Sequence, residues 1–131
     1  MTDSATDRLP GDVLSVLRET HEVDIETRPA PDVPPHHTTI WVVVDPADRA
    51  FIRTYRGEGS RWFREATASG QVALLADGQR IEVRVSPATD PGSVEACSEA
   101  LRAKYAHASG LRGMLAADNL PTTLELLPVV T

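Results

Sequence analysis

Residues 71–85 constrain this chain more than any other stretch. Val72, Ala73, Leu74, Leu75 and Ala76 lead into Asp77-Gly78, and Ile81, Val83 and Val85 then alternate with Glu82 and Arg84. Apolar side chains at every second position turn one face of an extended strand to a core and the other to water. Asp-Gly supplies two residues that tolerate positive φ, as a two-residue hairpin turn requires. A lone hairpin is barely stable in water, so further strands must flank this one.

Other segments can supply them. Residues 38–44, Thr-Thr-Ile-Trp-Val-Val-Val, are β-branched or aromatic on both faces, which predicts a central strand buried on two sides. Asp45-Pro46-Ala47-Asp48 has turn chemistry, and residues 51–55 return from it with Ile52 and Thr54 on one face and Phe51, Arg53 and Tyr55 on the other. Residues 22–28 alternate around Val23 and Ile25 until Pro29, Pro31, Pro34 and Pro35 interrupt them, because proline has no amide to donate to a ladder. Leu124 and Leu126 share a face in a last strand over residues 122–127.

Helical patterns fall between the strands. Val13, Leu14, Val16 and Leu17 mark one over residues 10–20 that lids the sheet, and residues 61–69 make another ending at Gly70. Asp90 and Pro91 open a third, with Val94, Cys97, Leu101 and Tyr105 on its buried side and Glu99 near Arg102 outside. The class expected is α+β, one domain over residues 1–131, with residues 1–9 as a frayed tail and no internal repeat.

Composition bounds the function. A chain of 131 residues with 41% hydrophobic content can build one ordinary core. Its 19 acidic and 13 basic residues give a net charge of -6, opposite to the footprint of a protein that rides on phosphate backbones. Cys97 is the lone cysteine, so no intrachain disulfide forms, and no apolar run approaches the roughly 20 residues of a membrane span. A cytoplasmic setting without nucleic-acid or membrane partners is the expectation. Lys104 is the one lysine among the basic residues, so an individual arginine carries less chemical information than it otherwise would.

Residues 53–64 depart from this acidic background. Arg53, Arg56, Arg61 and Arg64 face a single acid, Glu58. Gly57 and Gly59 let backbone approach a ligand just before a helix N-terminus that begins at Ser60-Arg61, where amides and the macrodipole favour an anion. Tyr55 and Trp62 offer flat apolar surface, and arginine's planar fork suits phosphate or carboxylate. The same residues also have an ordinary reading, with solvated arginines, Trp62 and Phe63 in the core, and glycines that only make a turn.

Nothing else in the chain carries a complete chemical signature. His36 and His37 are adjacent without a cysteine or carboxylate at zinc-like spacing, so no metal is expected. Cys97 lies on an apolar helix face, where a thiol packs as a small hydrophobe. Arg56-Gly57-Glu58-Gly59 begins like a dinucleotide fingerprint, but Trp62 stands at the third glycine, and neither a nucleophile elbow nor a P-loop lysine occurs. No catalytic side chain is named.

The order of strand, hairpin, basic loop, short helix, strand and hairpin over residues 38–85 resembles the split β-barrel of pyridoxamine-phosphate-oxidase-like flavin reductases. Over the whole chain, Thr39-Ile40-Trp41-Val42-Val43-Val44, Arg53-Thr54-Tyr55-Arg56-Gly57, Trp62-Phe63-Arg64, Arg102-Ala103-Lys104-Tyr105 and Thr122-Thr123 look most like domain of unknown function 2255. Gly57, Gly59, Trp62 and Phe63 are similar to the glycine-bearing loop and aromatic pair of deazaflavin (F420)-dependent nitroreductase-like proteins. Where the flavin oxidases begin and end their first barrel strand with basic residues, this chain has Thr38 or Thr39 and Val44 or Asp45.

The resemblance implies a six-stranded antiparallel split β-barrel with flanking helices, working as a homodimer that holds F420 or FMN at its interface. It puts Arg61 at the cofactor phosphate. Thr39, Trp41, Arg53, Tyr55, Arg56, Gly57, Ser60, Arg61 and Trp62 are the expected cofactor-binding residues, and the expected activity is hydride transfer to a small acceptor. The alternative is a non-enzymatic module that binds a small anion or pairs with a partner.

Overall fold

In the computed structural model, which describes residues 8–129, every strand runs antiparallel to its neighbours. The chain order is α1 (Gly11–Glu19), β1 (Val23–Thr27), β2 (His36–Ile40), β3 (Val43–Val44), β4 (Ala50–Ile52), α2 (Arg61–Ser69), β5 (Gln71–Ala76), β6 (Gln79–Pro87), α3 (Pro91–Lys104), α4 (Leu111–Met114), a 3₁₀ helix (Ala117–Thr122) and β7 (Leu124–Pro128). The strands form one sheet in the order β2-β1-β5-β6-β7-β4-β3. Its two edge strands are consecutive in the chain, with only Trp41 and Val42 between them. Such a step spans at most about 11 Å, so the chain itself ties one edge to the other and the sheet curls into a half-barrel.

The hairpin that anchors the sequence reading forms as expected. β5 and β6 pair from Gln71↔Arg84 to Ala76↔Gln79, and Asp77 (φ 52) and Gly78 (φ 75) make the turn with both residues at positive φ. Gly70 ends α2 in the left-handed conformation, and Asp90 caps α3 by accepting from Ser93 N at 3.0 Å.

Two expectations need correction. The sheet has seven strands rather than six, and residues 38–44 are not one central strand. They break at Trp41-Val42 into β2 and β3, which lie at opposite edges. The cause is at the Val42 carbonyl, which accepts from Lys104 Nζ at 2.8 Å and from Tyr105 Oη at 3.2 Å. The return strand expected over residues 51–55 is shorter, Ala50–Ile52, because Thr54 N donates to Thr122 Oγ1 (3.0 Å) in place of a ladder partner.

Two apolar clusters lie on either side of β4. Leu14, Leu17, Ile25, Ile52, Trp62, Leu74, Val83 and Leu126 pack inside the curl under α1 and α2. Phe51, Val43, Cys97, Leu101, Tyr105 and Met114 pack beneath α3. Residues 1–7 of the expected frayed tail lie outside the described residues. Leu9 is buried against the first cluster, and Arg8 Nε donates to Ala47 O at 3.2 Å. Among the described residues no helix is long and apolar enough to cross a membrane.

Candidate functional site

The bend between β2 and β3, the segment after β4 and the start of α4 enclose a cavity of about 300 Å³. Thr39, Trp41, Arg53, Tyr55, Arg56, Ser60 and Trp62 line it, so most of the expected binding residues do converge. Glu22, Thr38, Ile40, Gly110 and Met114 complete the wall, and no local motif singled them out.

Its two aromatic walls come from different elements. Trp41 sits at the bend, stacked on Tyr105 with ring centroids 3.9 Å apart and planes 8° from parallel. Tyr55 follows β4, and its ring is largely in solvent. Trp62 is buried in the first core cluster and presents only part of its ring. Thr39 is exposed, with its hydroxyl donating to Asp24 Oδ1 at 2.8 Å.

Charge is what distinguishes the cavity. Arg53 is only 1% exposed. Its Nε donates to Thr123 Oγ1 (2.9 Å), Nη1 to Ser98 Oγ (3.0 Å) and Met114 O (3.1 Å), and Nη2 to Val94 O (3.0 Å). All four acceptors are neutral, and one N–H of the guanidinium's five is left over. No carboxylate among the described residues pairs with it. Burial holds its pKa below the ordinary arginine value, yet arginine keeps its proton in proteins, so a residue that lines the cavity carries a full positive charge. Arg56 is exposed at the rim and makes no hydrogen bond or ion pair among the described residues.

Asn119 holds this region together. Its Oδ1 accepts from Thr54 Oγ1 (3.2 Å), and its Nδ2 donates to Tyr55 O (3.0 Å) and Gly113 O (2.7 Å). That role depends on contacts far away in sequence, which is why pattern reading passed over it.

Gly57 and Arg61 are not part of the cavity. Gly57 (φ 78) turns the chain near Asn119. Arg61 points into a wider groove of about 780 Å³ beside Arg28, Arg64, Glu65 and Arg80. Much of the charge in that groove is already matched. Arg80 grips Glu26 through two bonds of 2.8 and 2.9 Å, and together with His37 it draws the Glu26 pKa down to about 2. His36 Nδ1 meets Glu65 at 3.0 Å, and Thr27 donates to the same carboxylate. Burial works to raise the Glu65 pKa, but these two bonds prevail and lower it. The histidines therefore have carboxylate partners that their neighbours in sequence did not reveal, while no three His, Cys, Asp or Glu side chains among the described residues gather as a metal site. Burial pushes the Cys97 thiol up to about 11, which disfavours its thiolate at neutral pH.

A curled antiparallel sheet with helices on both sides and a cavity at the mouth of the curl places the chain among split-barrel-like α+β proteins. Its sequence matches the DUF2255 family, described as an uncharacterized protein conserved in bacteria, over residues 13–126, and the chain belongs to that family. A conserved hypothetical protein of Mycobacterium tuberculosis shares the fold with a TM-score of 0.61 at 12% identity, covering 99% of this chain and 86% of its own. The heme storage protein HutZ of Vibrio cholerae gives 0.60 at 13%, covering 95% and 92%. A putative pyridoxamine 5'-phosphate oxidase of Listeria innocua gives 0.58 at 13%, covering 90% of each chain. Identities this low establish the shared fold alone. A comparison with curated proteins finds no match.

Proposed function

We propose that the cavity between Trp41 and Tyr55 binds a planar, anionic cofactor of the flavin or deazaflavin type, F420 or FMN, and that the protein uses it to reduce a small acceptor. The observation that carries this reading is Arg53, a buried cation that lines an aromatic cavity and forms no ion pair among the described residues. Burying a charge costs several kcal/mol unless it is paired, and a ligand anion would pair it. The faces of Trp41 and Tyr55 suit a ring system, while Arg56 and the Ser60 and Thr39 hydroxyls suit its polar end. The fold shared with the putative pyridoxamine 5'-phosphate oxidase of Listeria innocua supports a flavin-type ligand.

When bound, the cofactor supplies hydride transfer. The protein needs only to hold and shield it, and this accounts for a site without a catalytic acid or nucleophile. In this reading the working unit is a cytoplasmic homodimer of single-domain chains, a state that sedimentation would report. The second reading is a non-enzymatic module for another small anion, favoured by the same unneutralised Arg53.

The test is an absorbance scan of purified protein followed by fluorescence titration with F420, FMN and FAD. Saturable binding is expected for one of them. Arg56→Ala should weaken it by about 1–3 kcal/mol through loss of a charge-assisted bond, and Arg61→Ala should leave it unchanged. Binding that ignores Arg56→Ala would defeat the placement, and no binding by any of the three would leave the small-anion reading.

A further inference from the structure

The two aromatic walls are held in unlike ways. Trp41 is seated against Tyr105, with the His21 ring edge-on at 6.5 Å. Tyr55 is 57% exposed, and its hydroxyl makes no hydrogen bond among the described residues. Its backbone is pinned instead. The Tyr55 carbonyl accepts from Asn119 Nδ2 at 3.0 Å, and Gly57 N donates to Thr54 Oγ1 at 2.9 Å. Only the side-chain torsions are free, and exposed side chains sample such rotations in picoseconds to nanoseconds.

Glycine sets where the ring rests. A Cβ on Gly113 would stand 2.2 Å from Tyr55 Cε1 and 2.8 Å from Cζ. One on Gly110 would stand 3.4 Å from Trp41 Cη2 and 3.9 Å from Tyr55 Cε1. Gly113 is not among the positive-φ glycines, so its backbone would accept alanine, and the Tyr55 ring is the obstacle. With the ring at rest the cavity measures about 300 Å³, the lower end of the range for sites that enclose a drug-sized ligand. In this reading a ring system larger than the resting cavity needs one wall to give way, and Tyr55 is the wall that can.

We propose that Tyr55 is the adjustable wall of this cavity and Gly113 the residue that sets its resting position, so that the pair controls the aperture through which a ligand ring enters. The proposal rests on the reading of the cavity as a ligand site, but its first test needs no ligand.

In a Trp62→Phe background, where Trp41 is the single tryptophan, acrylamide quenching of Trp41 is measured in the parent, Gly113→Ala, Tyr55→Ala and the double variant. Gly113→Ala should raise quenching, Tyr55→Ala should raise it at least as much, and Gly113→Ala should add nothing once Tyr55 is gone. No rise, or an equal rise with and without the Tyr55 ring, overturns the proposal. If Trp62→Phe does not fold, fluorine NMR on fluorotyrosine-labelled protein replaces it. Tyr55 and Tyr105 are the two signals, and Gly113→Ala must shift the first and spare the second. With FMN as the probe, faster dissociation from Gly113→Ala is expected. Failure of F420, FMN and FAD alike to bind the parent sinks the cofactor reading, while the quenching cycle still decides the wall.

Discussion

Arg49 and Arg53 flank the same short strand, β4, and both side chains reach α3, yet the protein treats their charges differently. Arg49 meets Glu125 with two bonds, Nε to Oε2 at 3.1 Å and Nη2 to Oε1 at 2.9 Å, and donates to Ser93 Oγ at 2.7 Å. Its guanidinium also lies 4.9 Å from the centre of the Phe51 ring. The bonds to Glu125 hold its pKa above the ordinary value. Arg53 is more deeply buried, bonds only to neutral oxygens, and has its pKa pushed the other way by burial. The difference separates a structural ion pair from a charge kept available. Arg49 is neutralised at a partly open corner by Glu125, whereas Arg53, which lines the cavity, has no such pair.

The largest expected effect comes from removing the unpaired charge. Arg53→Met strands the Met114 carbonyl and takes the donor from the buried Ser98 and Thr123 hydroxyls, each buried acceptor costing about 1–3 kcal/mol, so a loss of about 3 kcal/mol or more in urea denaturation is expected. A loss no greater than that of a surface arginine would break the comparison.

Next comes an attempt to make Arg53 resemble Arg49. Ser98 Oγ lies 3.0 Å from Arg53 Nη1, and Ser98→Asp would supply the missing counter-ion. Titration should then show about tenfold weaker binding of the anionic cofactor, about 1.4 kcal/mol, in a protein that still folds. Unaltered affinity would mean that Arg53's charge does not act on the ligand.

The converse change, Glu125→Gln, leaves Arg49 without its carboxylate. Side-chain exposures of 24% and 15% at this pair leave room for water, and a loss of about 1 kcal/mol is expected from the same denaturation measurement.

The smallest effect concerns Lys104, which like Arg53 has no carboxylate partner among the described residues. Lys104 Nζ donates to Leu17 O and Val42 O, and burial draws its pKa from 10.5 to about 8. Between those values the unfolded chain binds more protons than the folded one, so stability should rise as pH increases from about 8 toward 10. Above that, Tyr105, raised to about 12 by burial, reverses the slope because the folded state then holds the extra proton. Denaturation across this pH range should show the rising limb in the parent and not in Lys104→Met. Arg53, which cannot shed its proton, should contribute no such limb.

Much of the fold was legible because it is local. The alternation in β5 and β6, Asp77-Gly78 between them, Gly70 after α2 and Asp90 before α3 act within a few residues of themselves. The convergence of Trp41, Tyr55, Arg56 and Ser60 was also legible in outline, since three of the four lie in one loop segment. The break at Trp41-Val42 was not, because the side chains that claim the Val42 carbonyl, Lys104 and Tyr105, come from the far end of α3. A run of β-branched residues reads as one strand until another element takes one of its hydrogen bonds.

By itself, then, the sequence determined the periods, turns and caps, and marked the arginine-rich segment as unusual. Tertiary structure decided which arginines serve which end. Arg49 found Glu125, Arg61 turned to the outer groove, and Arg53 was enclosed by Ser98, Val94, Met114 and Thr123 without an acid among them. Whether a buried charge is neutralised depends on groups within a few ångströms in space, and for Arg49 and Arg53 those groups lie more than forty residues away along the chain.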